Sequence, residues 1–493
     1  MQMDAQTQEK QQTQKTATFA AHKAARDIGE QDMNANNPGP DHATQSKQGS
    51  VAATQSTCAT LLRAPRSIAD TGLPALFVAH LLLKSILQNG KSSLGDLMAR
   101  HCLTAAVLEE TIGFLVREHL IEIAHRGASD VDVHLRLTEA GRELAAHEAS
   151  RSTYCGPAPV SLEAYVSVVN AYSVKSIHIA QSDVRAAFAN FVADMSLLDC
   201  AVAALNAGRP VMLYGPAGSG KTYLAERLGR LLGGAVPIPY ALYVAGDVIQ
   251  IHDPLLHRDA AAGALAAVTD RRWRVCERPV IMSGGELTLA LLDLQYNANS
   301  GFYQAPPHMK ANMGLYVVDD LGRQRVAPNE LLNRWITPLD RGVDQFALQS
   351  GARFVSPFDV WPVFSTNLTP AELNDNAFLR RLGSKIQVGA LCADDYRRVF
   401  DAQCEALGIE IEEGAFEYLL NQLHQRSRTP FLACYPADLL GVLRSFALYH
   451  GDVPTVTEYR LTHAWHCYFG GAPEHEEAYP SQSGQSDKRY AGA

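Results

Sequence analysis

A glycine-rich octet between an apolar run and a helical segment is the strongest chemical signal in this sequence. Residues 215–222 read GPAGSGKT and match the pattern G-x-x-x-x-G-K-[ST]; an apolar run precedes them and an amphipathic stretch, 222–232, follows. Glycines let a backbone wrap around phosphate groups with its N–H groups pointing inward, and a helix N-terminus adds partial positive charge. The sequence therefore predicts a phosphate-binding loop made of Gly215, Pro216, Ala217, Gly218, Ser219, Gly220, Lys221 and Thr222.

Two side chains of this loop and two later acids form the predicted metal and reaction centre. We expect Lys221 to reach the β- and γ-phosphates of ATP, and Thr222 to bind Mg²⁺. Residues 314–320 read GLYVVDD, an apolar strand that ends in two acids. We expect Asp319 to hold the hydration shell of Mg²⁺ and Asp320 to orient the attacking water. The alternative, a strand followed by a solvated turn, is disfavoured because the phosphate-binding loop is present.

A third apolar strand ends in a polar residue that is a candidate for the same site. Residues 360–367 read VWPVFSTN, and the last of them, Asn367, lies 48 positions after Asp319. Asn367 is a candidate contact for the γ-phosphate or for the attacking water. A Thr-Asn pair also often begins a turn, and this alternative stays open.

These three strand ends, in this order, resemble the nucleotide site of the AAA+ ATPases. The resemblance covers about residues 185–470 and implies an α/β fold: a P-loop NTPase αβα parallel sheet with a C-terminal helical lid. It also implies ATP and Mg²⁺ as cofactors and a homo-oligomeric ring, with a hexamer favoured. Within the family, the chain looks like bacterial proteins with a MoxR-like core and an N-terminal winged-helix-like domain.

A basic segment ahead of the lid resembles the arginine-finger motif of that family. Residues 375–382 read DNAFLRRL. The resemblance implies that Arg381 or Arg380 enters the site of a neighbouring subunit and acts there in catalysis. The alternative is an exposed basic pair without a catalytic role.

The C-terminal part resembles the family's lid, but one expected cation is missing. Residues 434–440 read CYPADLL at the position of the sensor 2 motif, and Ala437 stands where the family carries an arginine. Arg444 follows seven residues later, two helical turns on, and is the candidate substitute. The predicted lid helices span residues 394–407, 413–427, 436–450 and 457–469.

Two further features depart from the family pattern. Asp320 is one methylene shorter than the usual glutamate, so it must lie closer to the water or catalyse less well. Lys221 and Asp319 are 98 positions apart, which is a long gap for the family. We therefore expect an insertion at about residues 235–310.

Residues 66–150 read as helices followed by two short strands, with Thr138 as a helix N-cap, and resemble a winged-helix domain. They hold eleven acidic and eight basic residues, and the stretch in the recognition-helix position, 104–119, carries three glutamates against one arginine. A helix that reads DNA normally offers Arg, Lys, Asn or Gln. Protein contact or plain packing is therefore favoured over DNA binding.

The composition of the chain predicts the remaining domain boundaries. Both ends are polar and poor in large apolar residues, so they cannot bury enough surface to offset chain entropy, and we expect disordered tails there. A Gly/Pro-containing stretch, 154–160, indicates a linker. The predicted domains are a tail (1–60), a winged-helix-like domain (66–150), a linker (151–184), an ATPase core (185–392), a lid (393–471) and a second tail (472–493).

Charge, cysteine and hydropathy patterns exclude several other classes. The formal net charge is −9 without a long basic run, which argues against counterion-driven nucleic-acid binding by the whole chain. Nine cysteines without a C-x-x-C pair indicate reduced thiols rather than a disulfide framework. The most apolar stretch, 73–87, is shorter than the ~20 residues of a membrane span, and residues 1–10 are polar, unlike a signal peptide. We therefore expect a cytoplasmic protein with no membrane partner.

Three functions fit these features. The first is an ATPase that couples ATP hydrolysis to remodelling of an unknown protein partner recruited by residues 60–160. The second is a DNA-handling ATPase, such as a loader or helicase-like motor, which the sequence DDLG at 319–322 keeps open. The third is a nucleotide-gated scaffold with little hydrolysis, which the short Asp320 and the absent sensor 2 arginine suggest.

Overall fold

The computed structural model describes residues 62–126, 133–189, 192, 195–265 and 267–470. The predicted tails, residues 1–60 and 472–493, lie outside the described residues. Among the residues that are described, no helix combines the length and the apolar composition needed to cross a membrane.

The helices and strands are numbered here in chain order. The helices are α1 (Ala75–Asn89), α2 (Leu94–His101), α3 (Ala105–Arg117), α4 (Glu139–Arg151), α5 (Leu162–Ala171), α6 (Gln181–Ala187), α7 (Met195–Asn206), α8 (Lys221–Leu228), α9 (Pro307–Lys310), α10 (Pro328–Arg341), α11 (Pro370–Leu373), α12 (Asn376–Leu379), α13 (Ala393–Leu407), α14 (Ala415–Tyr418), α15 (Gln425–Ser427), α16 (Tyr435–His450) and α17 (Glu458–Phe469). The strands are β1 (Lys91–Ser93), β2 (Ile121–Arg126), β3 (Val133–Leu137), β4 (Val160–Ser161), β5 (Val211–Tyr214), β6 (Ala235–Pro239), β7 (Ala241–Val244), β8 (Asp247–Gln250), β9 (Trp273–Glu277), β10 (Val280–Ser283), β11 (Gln295–Asn297), β12 (Phe302–Gln304), β13 (Gly314–Val318), β14 (Val343–Ala347), β15 (Arg353–Pro357), β16 (Val360–Thr366), β17 (Ser384–Gln387), β18 (Glu410–Ile411) and β19 (Thr455–Val456).

The three strands predicted to carry the site lie in one five-stranded sheet of order β10-β13-β16-β5-β17. Every neighbouring pair is parallel. Counted along the chain, the strands run 2-3-4-1-5, so β5 sits where the chain order reverses. In open parallel sheets, ligands bind at the carboxyl ends of the strands beside such a point.

The sheet is covered on both faces because its side chains alternate. In β5, Val211 and Leu213 pack into one apolar cluster with helices α7 and α8. Met212, between them, packs on the opposite face with Leu331 and Trp335 of helix α10. Fully burying each such side chain contributes about 1.5–3 kcal/mol, and both layers are needed to hold the strand ends in place. The predicted α/β fold with a P-loop NTPase αβα parallel sheet is confirmed.

The N-terminal part combines helices with a small antiparallel sheet. Helices α1, α2 and α3 are followed by strands β2 and β3, and β1 completes a three-stranded sheet of order β1-β3-β2. Thr138 caps α4 as predicted, since its hydroxyl accepts a hydrogen bond from the Gly141 N–H at 3.1 Å. The apolar cluster of this part continues into residues of the inserted region, including Ala241 and Val248.

The region predicted to contain an insertion, 235–310, also holds a strand of the central sheet. Strand β10 belongs to the central sheet, as the edge strand beside β13. Four other strands of this region join β4 in a second five-stranded sheet of order β11-β12-β8-β7-β4, and β6 and β9 form an antiparallel pair. We call the second sheet the docking sheet, because the ring of Phe77 in α1 lies 4.7 Å from that of Tyr243 in β7.

Residues 151–184, expected to be a linker, are packed structure. Strand β4 pairs in parallel with β7 of the docking sheet, and α5 buries Tyr165, Val168 and Val169. The Gly/Pro residues before β4 shape a turn whose Tyr154 is itself buried. Burial against the docking sheet therefore overrides the loop composition of this stretch.

The lid contains the four predicted helical stretches. They are α13, the run from α14 through a π-helical stretch (Leu419–His424) to α15, then α16 and α17. Their apolar faces share one core that includes Phe400, Leu439 and Trp465.

Candidate nucleotide-binding site

The predicted phosphate-binding loop connects the end of β5 to the start of α8. Gly215 and Gly218 both have positive φ, 148° and 80°. A side chain at Gly215 would collide with the carbonyl of Val388, and one at Gly218 would collide with the sulfur of Cys434. The glycines are therefore required by the close approach of a neighbouring strand and of the lid as well as by backbone conformation.

Lys221 lies buried at the base of the loop. Its Nζ donates to the carbonyls of Gly215 and Pro216 at 3.0 and 2.8 Å, and to Oδ1 of Asn367 at 2.8 Å. Burial lowers the pKa of Lys221, and the nearby carboxylates of Asp320 and Asp319 oppose that shift. The neutral acceptors hold the ammonium in position and are weaker partners than a phosphate oxygen.

A second contact joins the loop to the neighbouring strands. The Thr222 hydroxyl donates to Oδ2 of Asp319 at 2.8 Å. The other carboxylate oxygen, Oδ1, is buried and has no hydrogen-bond partner among the described residues. Mg²⁺ prefers oxygen ligands and needs few from the protein, so a hydroxyl beside a carboxylate with a spare oxygen fits this ion.

Asp320 lies at the start of a tight turn and faces the cleft. Its φ is +51°, an uncommon conformation for a residue with a side chain. Arg323, three residues on, is its ion-pair partner at 3.8 Å. The strand end thus presents one acid toward Thr222 and the next toward the cleft.

Asn367 follows directly on β16, the strand between β13 and β5. Its hydrogen bond to Lys221 connects this strand end to the phosphate-binding loop. The carboxyl ends of three adjacent strands, β5, β13 and β16, therefore bring together the five side chains Lys221, Thr222, Asp319, Asp320 and Asn367.

A cleft of about 1110 Å³ opens over these residues. One wall is the phosphate-binding loop and the other is the lid, where Cys434 donates its N–H to the carbonyl of Gly218 at 3.1 Å. From the lid, the lining includes Cys392, Asp395, Gln403 and Cys434. The volume suits a nucleoside triphosphate.

The two candidate finger arginines lie away from this cleft and differ from each other. Arg381 donates through Nε and Nη2 to the carboxylate of Asp340, both at 2.6 Å. Arg380 is exposed, and its guanidinium makes no hydrogen bond or ion pair with any described residue. Neither side chain lines the cleft of its own chain.

The residue at the sensor 2 position and its candidate substitute also lie away from the cleft. Ala437 and Arg444 both lie on α16 and both are exposed. Neither contributes to the described lining of the cleft, so helix spacing alone does not bring Arg444 to the nucleotide site.

Sequence reasoning missed two residues of the site. Arg323 lines the cleft beside Asp320, and Cys434 packs on the phosphate-binding loop. A cation three residues after the strand-end acids was a usable signal for Arg323. The contact of Cys434 has no sequence signal because it depends on how the lid closes.

Comparison with known proteins adds a family match for the lid. Residues 392–467 match the family described as "Domain of unknown function (DUF8689)". The match begins one residue before α13 and ends within α17, so it covers the lid and no part of the phosphate-binding loop. A comparison with curated proteins finds no match.

Solved structures with a distant likeness include two kinds of protein. A point mutant of RuvB from Thermotoga maritima is 15% identical over 62% of this chain and 76% of its own, with a TM-score of 0.32. The T. maritima RuvB described as a Holliday junction branch migration motor is 16% identical, with 59% and 70% covered and a TM-score of 0.31. NtrX from Brucella abortus in complex with ATP is 16% identical, with 56% of each chain covered and a TM-score of 0.35.

Proposed function

We propose that this protein is an AAA+-type ATPase that uses ATP hydrolysis to remodel a protein partner. The observation that carries the proposal is the pair of contacts Lys221–Asn367 and Thr222–Asp319, at 2.8 Å each, across the carboxyl ends of adjacent parallel strands. No structural need of the core explains an ammonium, a hydroxyl and a carboxylate at this point. A triphosphate with its metal ion does.

In this proposal the loop binds and orients the triphosphate. The backbone N–H groups of residues 217–222, at the N-terminus of α8, attract its phosphate oxygens, and the Lys221 ammonium exchanges its neutral acceptors for charged ones. Thr222 and Asp319 would hold Mg²⁺. The ion, when bound, neutralises charge on the phosphate oxygens.

Hydrolysis would take place between Asp320 and Asn367. Asp320 accepts a hydrogen bond from a water, whose oxygen attacks the γ-phosphorus while the bond to the β,γ-bridging oxygen breaks. ADP leaves with the electron pair of that bond, and the water's proton ends on the released phosphate. Asn367 lies against Lys221 and orients the γ-phosphate or the water.

Assembly would complete the site. We propose a homo-oligomeric ring, a hexamer by the family resemblance, in which an arginine from the end of α12 reaches the γ-phosphate held by the next subunit. Arg380 suits this role because its guanidinium is exposed and makes no hydrogen bond or ion pair among the described residues, although its charge helps to lower the pKa of the Asp340 carboxyl. Arg381, bound to Asp340, is then a positioning residue that fixes the end of α12.

The N-terminal part would recruit the partner. We propose that residues 66–150 are a winged-helix-like domain packed on the docking sheet. We also propose that this domain binds protein rather than DNA. Its helix α3 exposes Glu109 and Glu110, and Glu118 follows it, against Arg117 alone. Such a face repels phosphate.

The test of ATP binding compares Lys221→Ala with Lys385→Ala, an exposed lysine on the adjacent strand β17. We expect the first variant to lose binding of a fluorescent ATP analogue and phosphate release while keeping the wild-type circular dichroism spectrum. The second should behave as wild type. A folded Lys221→Ala protein with unchanged affinity and turnover would refute the site.

The test of the partner uses an Asp320→Asn variant of the whole chain. This variant is expected to bind ATP without hydrolysing it. Proteins retained by this variant with ATP but not with ADP would support remodelling. Duplex-DNA binding that weakens steeply with salt would favour the DNA-handling alternative instead. Wild-type protein that binds ATP and releases almost no phosphate would favour the scaffold.

A further inference from the structure

The cleft has fewer cations than a triphosphate needs. In the described lining, the cationic side chains are Lys221 and Arg323 alone. The lid contributes an acid, Asp395, and no cation. Among the described lining residues, a bound γ-phosphate therefore has one candidate cationic partner besides Lys221, which is Arg323.

Arg323 stands on a turn that is fixed from both sides. The buried Gln324 accepts from the Gly322 N–H at 2.8 Å and donates to the carbonyls of Asp319 and Gly284 at 3.0 and 3.2 Å. Leu321 bonds to β16, with its N–H on the Ser365 carbonyl and its carbonyl on the Thr366 hydroxyl. The base of the Arg323 side chain is thus held at the mouth of the cleft.

The tip of Arg323 is only loosely held. Its contact with Asp320 is 3.8 Å long, and its side chain is 63% exposed. The positive charge of Arg323 also contributes to lowering the pKa of Lys221. A long side chain with a weak exposed partner can move to a stronger one at little cost.

We propose that Arg323 is the cis sensor of the γ-phosphate and replaces the arginine that is absent at position 437. This rests on the proposed ATP-binding function. With ATP bound, the guanidinium leaves Asp320 and bonds to the γ-phosphate oxygens, which bear more charge than one carboxylate. The same movement frees Asp320 to accept a hydrogen bond from water. With ADP, the pair between Arg323 and Asp320 stays.

The experiment measures the affinities for a slowly hydrolysed ATP analogue and for ADP in the full chain. Arg323→Ala is compared with Arg323→Lys, with Arg325→Ala on the same loop outside the cleft, and with Arg444→Ala. Loss of a charged hydrogen bond in Arg323→Ala is expected to weaken the ATP analogue about tenfold to a hundredfold. ADP affinity should stay within about twofold. The Arg323→Lys variant should recover part of the loss, and the other two variants should match wild type.

The outcomes separate this inference from the proposed function. If wild-type protein binds neither nucleotide, the ATP site itself is refuted. If wild type binds ATP and Arg323→Ala binds it equally well, only the sensor role is refuted. An equal loss for ATP and ADP would show a general charge effect and overturn the role. Loss of discrimination in Arg444→Ala, with Arg323→Ala unaffected, would assign the sensor to the lid.

Discussion

The candidate nucleotide cleft and the junction between the N-terminal part and the docking sheet both contain buried polar groups, and the hydrogen bonding of these groups differs. In the junction, the Arg272 guanidinium binds both carboxylate oxygens of Asp270 and the carbonyls of Thr71 and Pro159. Both ring nitrogens of His101 are also bonded. In the cleft region, the described atoms without a partner include Oγ of Ser219, Oγ of Ser365 and Oδ1 of Asp319, and outside it Nε2 of His252, Nδ1 of His308 and Nε1 of Trp335 also lack one.

This difference separates a structural junction from a ligand site. A buried polar atom without a partner costs about 1–3 kcal/mol and calls for an explanation, and beside the cleft the proposed ligand supplies one. The junction is complete as folded and fixes the N-terminal part on the docking sheet. In the proposed function, a ligand supplies the missing partners in the cleft.

The largest expected effect concerns Arg380, the exposed arginine at the end of α12. Arg380→Ala should leave ATP binding nearly intact and reduce turnover by about 10³–10⁵-fold, because a finger arginine neutralises charge that develops in the transition state. Arg381→Ala, which breaks the pair with Asp340, should cost less. Phosphate release by each purified variant gives the comparison.

Mixing inactive subunits tests whether the finger acts between subunits. Arg380→Ala and Lys221→Ala proteins should together recover part of the activity, since some interfaces then join an intact loop to an intact arginine. Full activity in the Arg380/Arg381 double variant would rule the finger out. Constant specific activity on dilution to a proven monomer would do so as well.

The second effect is a loss of stability in the junction, where the buried Arg272 guanidinium pairs with the Asp270 carboxylate. Asp270→Ala leaves the Arg272 guanidinium buried without its carboxylate, which is expected to cost about 3–5 kcal/mol of the free energy of unfolding. Urea titration measures it. The control is Asp259→Ala, which removes an exposed pair with Arg274 on the neighbouring strand and should shift the midpoint little. Equal losses in the two variants would contradict the comparison.

Much of the cleft was predictable because its signals are local. The loop 215–222 and the strand ends at Asp319 and Asn367 each combine an apolar run with polar residues that a buried strand has no use for. The order of these strand ends along the chain, with the family resemblance, then implied the parallel sheet. The structure brings all three together at one edge.

The junction was not predictable for the opposite reason. Residues 154–160 carry the Gly and Pro of a loop, and nothing in them indicates that the docking sheet buries Tyr154 or pairs with β4. Strand β10 was hidden inside the predicted insertion, because a four-residue apolar run gives no sign of which sheet it joins. In both cases, contacts with residues distant in sequence determine where the segment packs.

The third effect is a pH dependence from the junction. Burial lowers the pKa of His101 to about 4, against the backbone carbonyl of Gly156, which raises it. The folded protein therefore takes up a proton less readily than the unfolded chain. Stability from this group is complete above about pH 6.5 and is lost between pH 6.5 and 4, by roughly 3 kcal/mol in total. Urea titrations at several pH values should show a shallower dependence for His101→Gln than for wild type. An unchanged slope would show that His101 does not titrate this way.

The smallest effect compares one hydroxyl from each region. Ser85 in the junction bonds to His101 Nε2 at 2.7 Å and to Cys155 Sγ at 3.1 Å, while Oγ of Ser365, equally buried, has no partner among the described residues. Ser85→Ala leaves a buried ring nitrogen unsatisfied and should cost about 1–3 kcal/mol. Ser365→Ala loses no hydrogen bond and removes an unsatisfied group, so the apo protein should be unchanged or slightly more stable. Urea midpoints of the two single variants without nucleotide decide between them. If Ser365→Ala loses as much stability as Ser85→Ala, the Ser365 hydroxyl, buried in β16 next to the cleft, already has a partner in the free protein, and the contrast between the two regions fails.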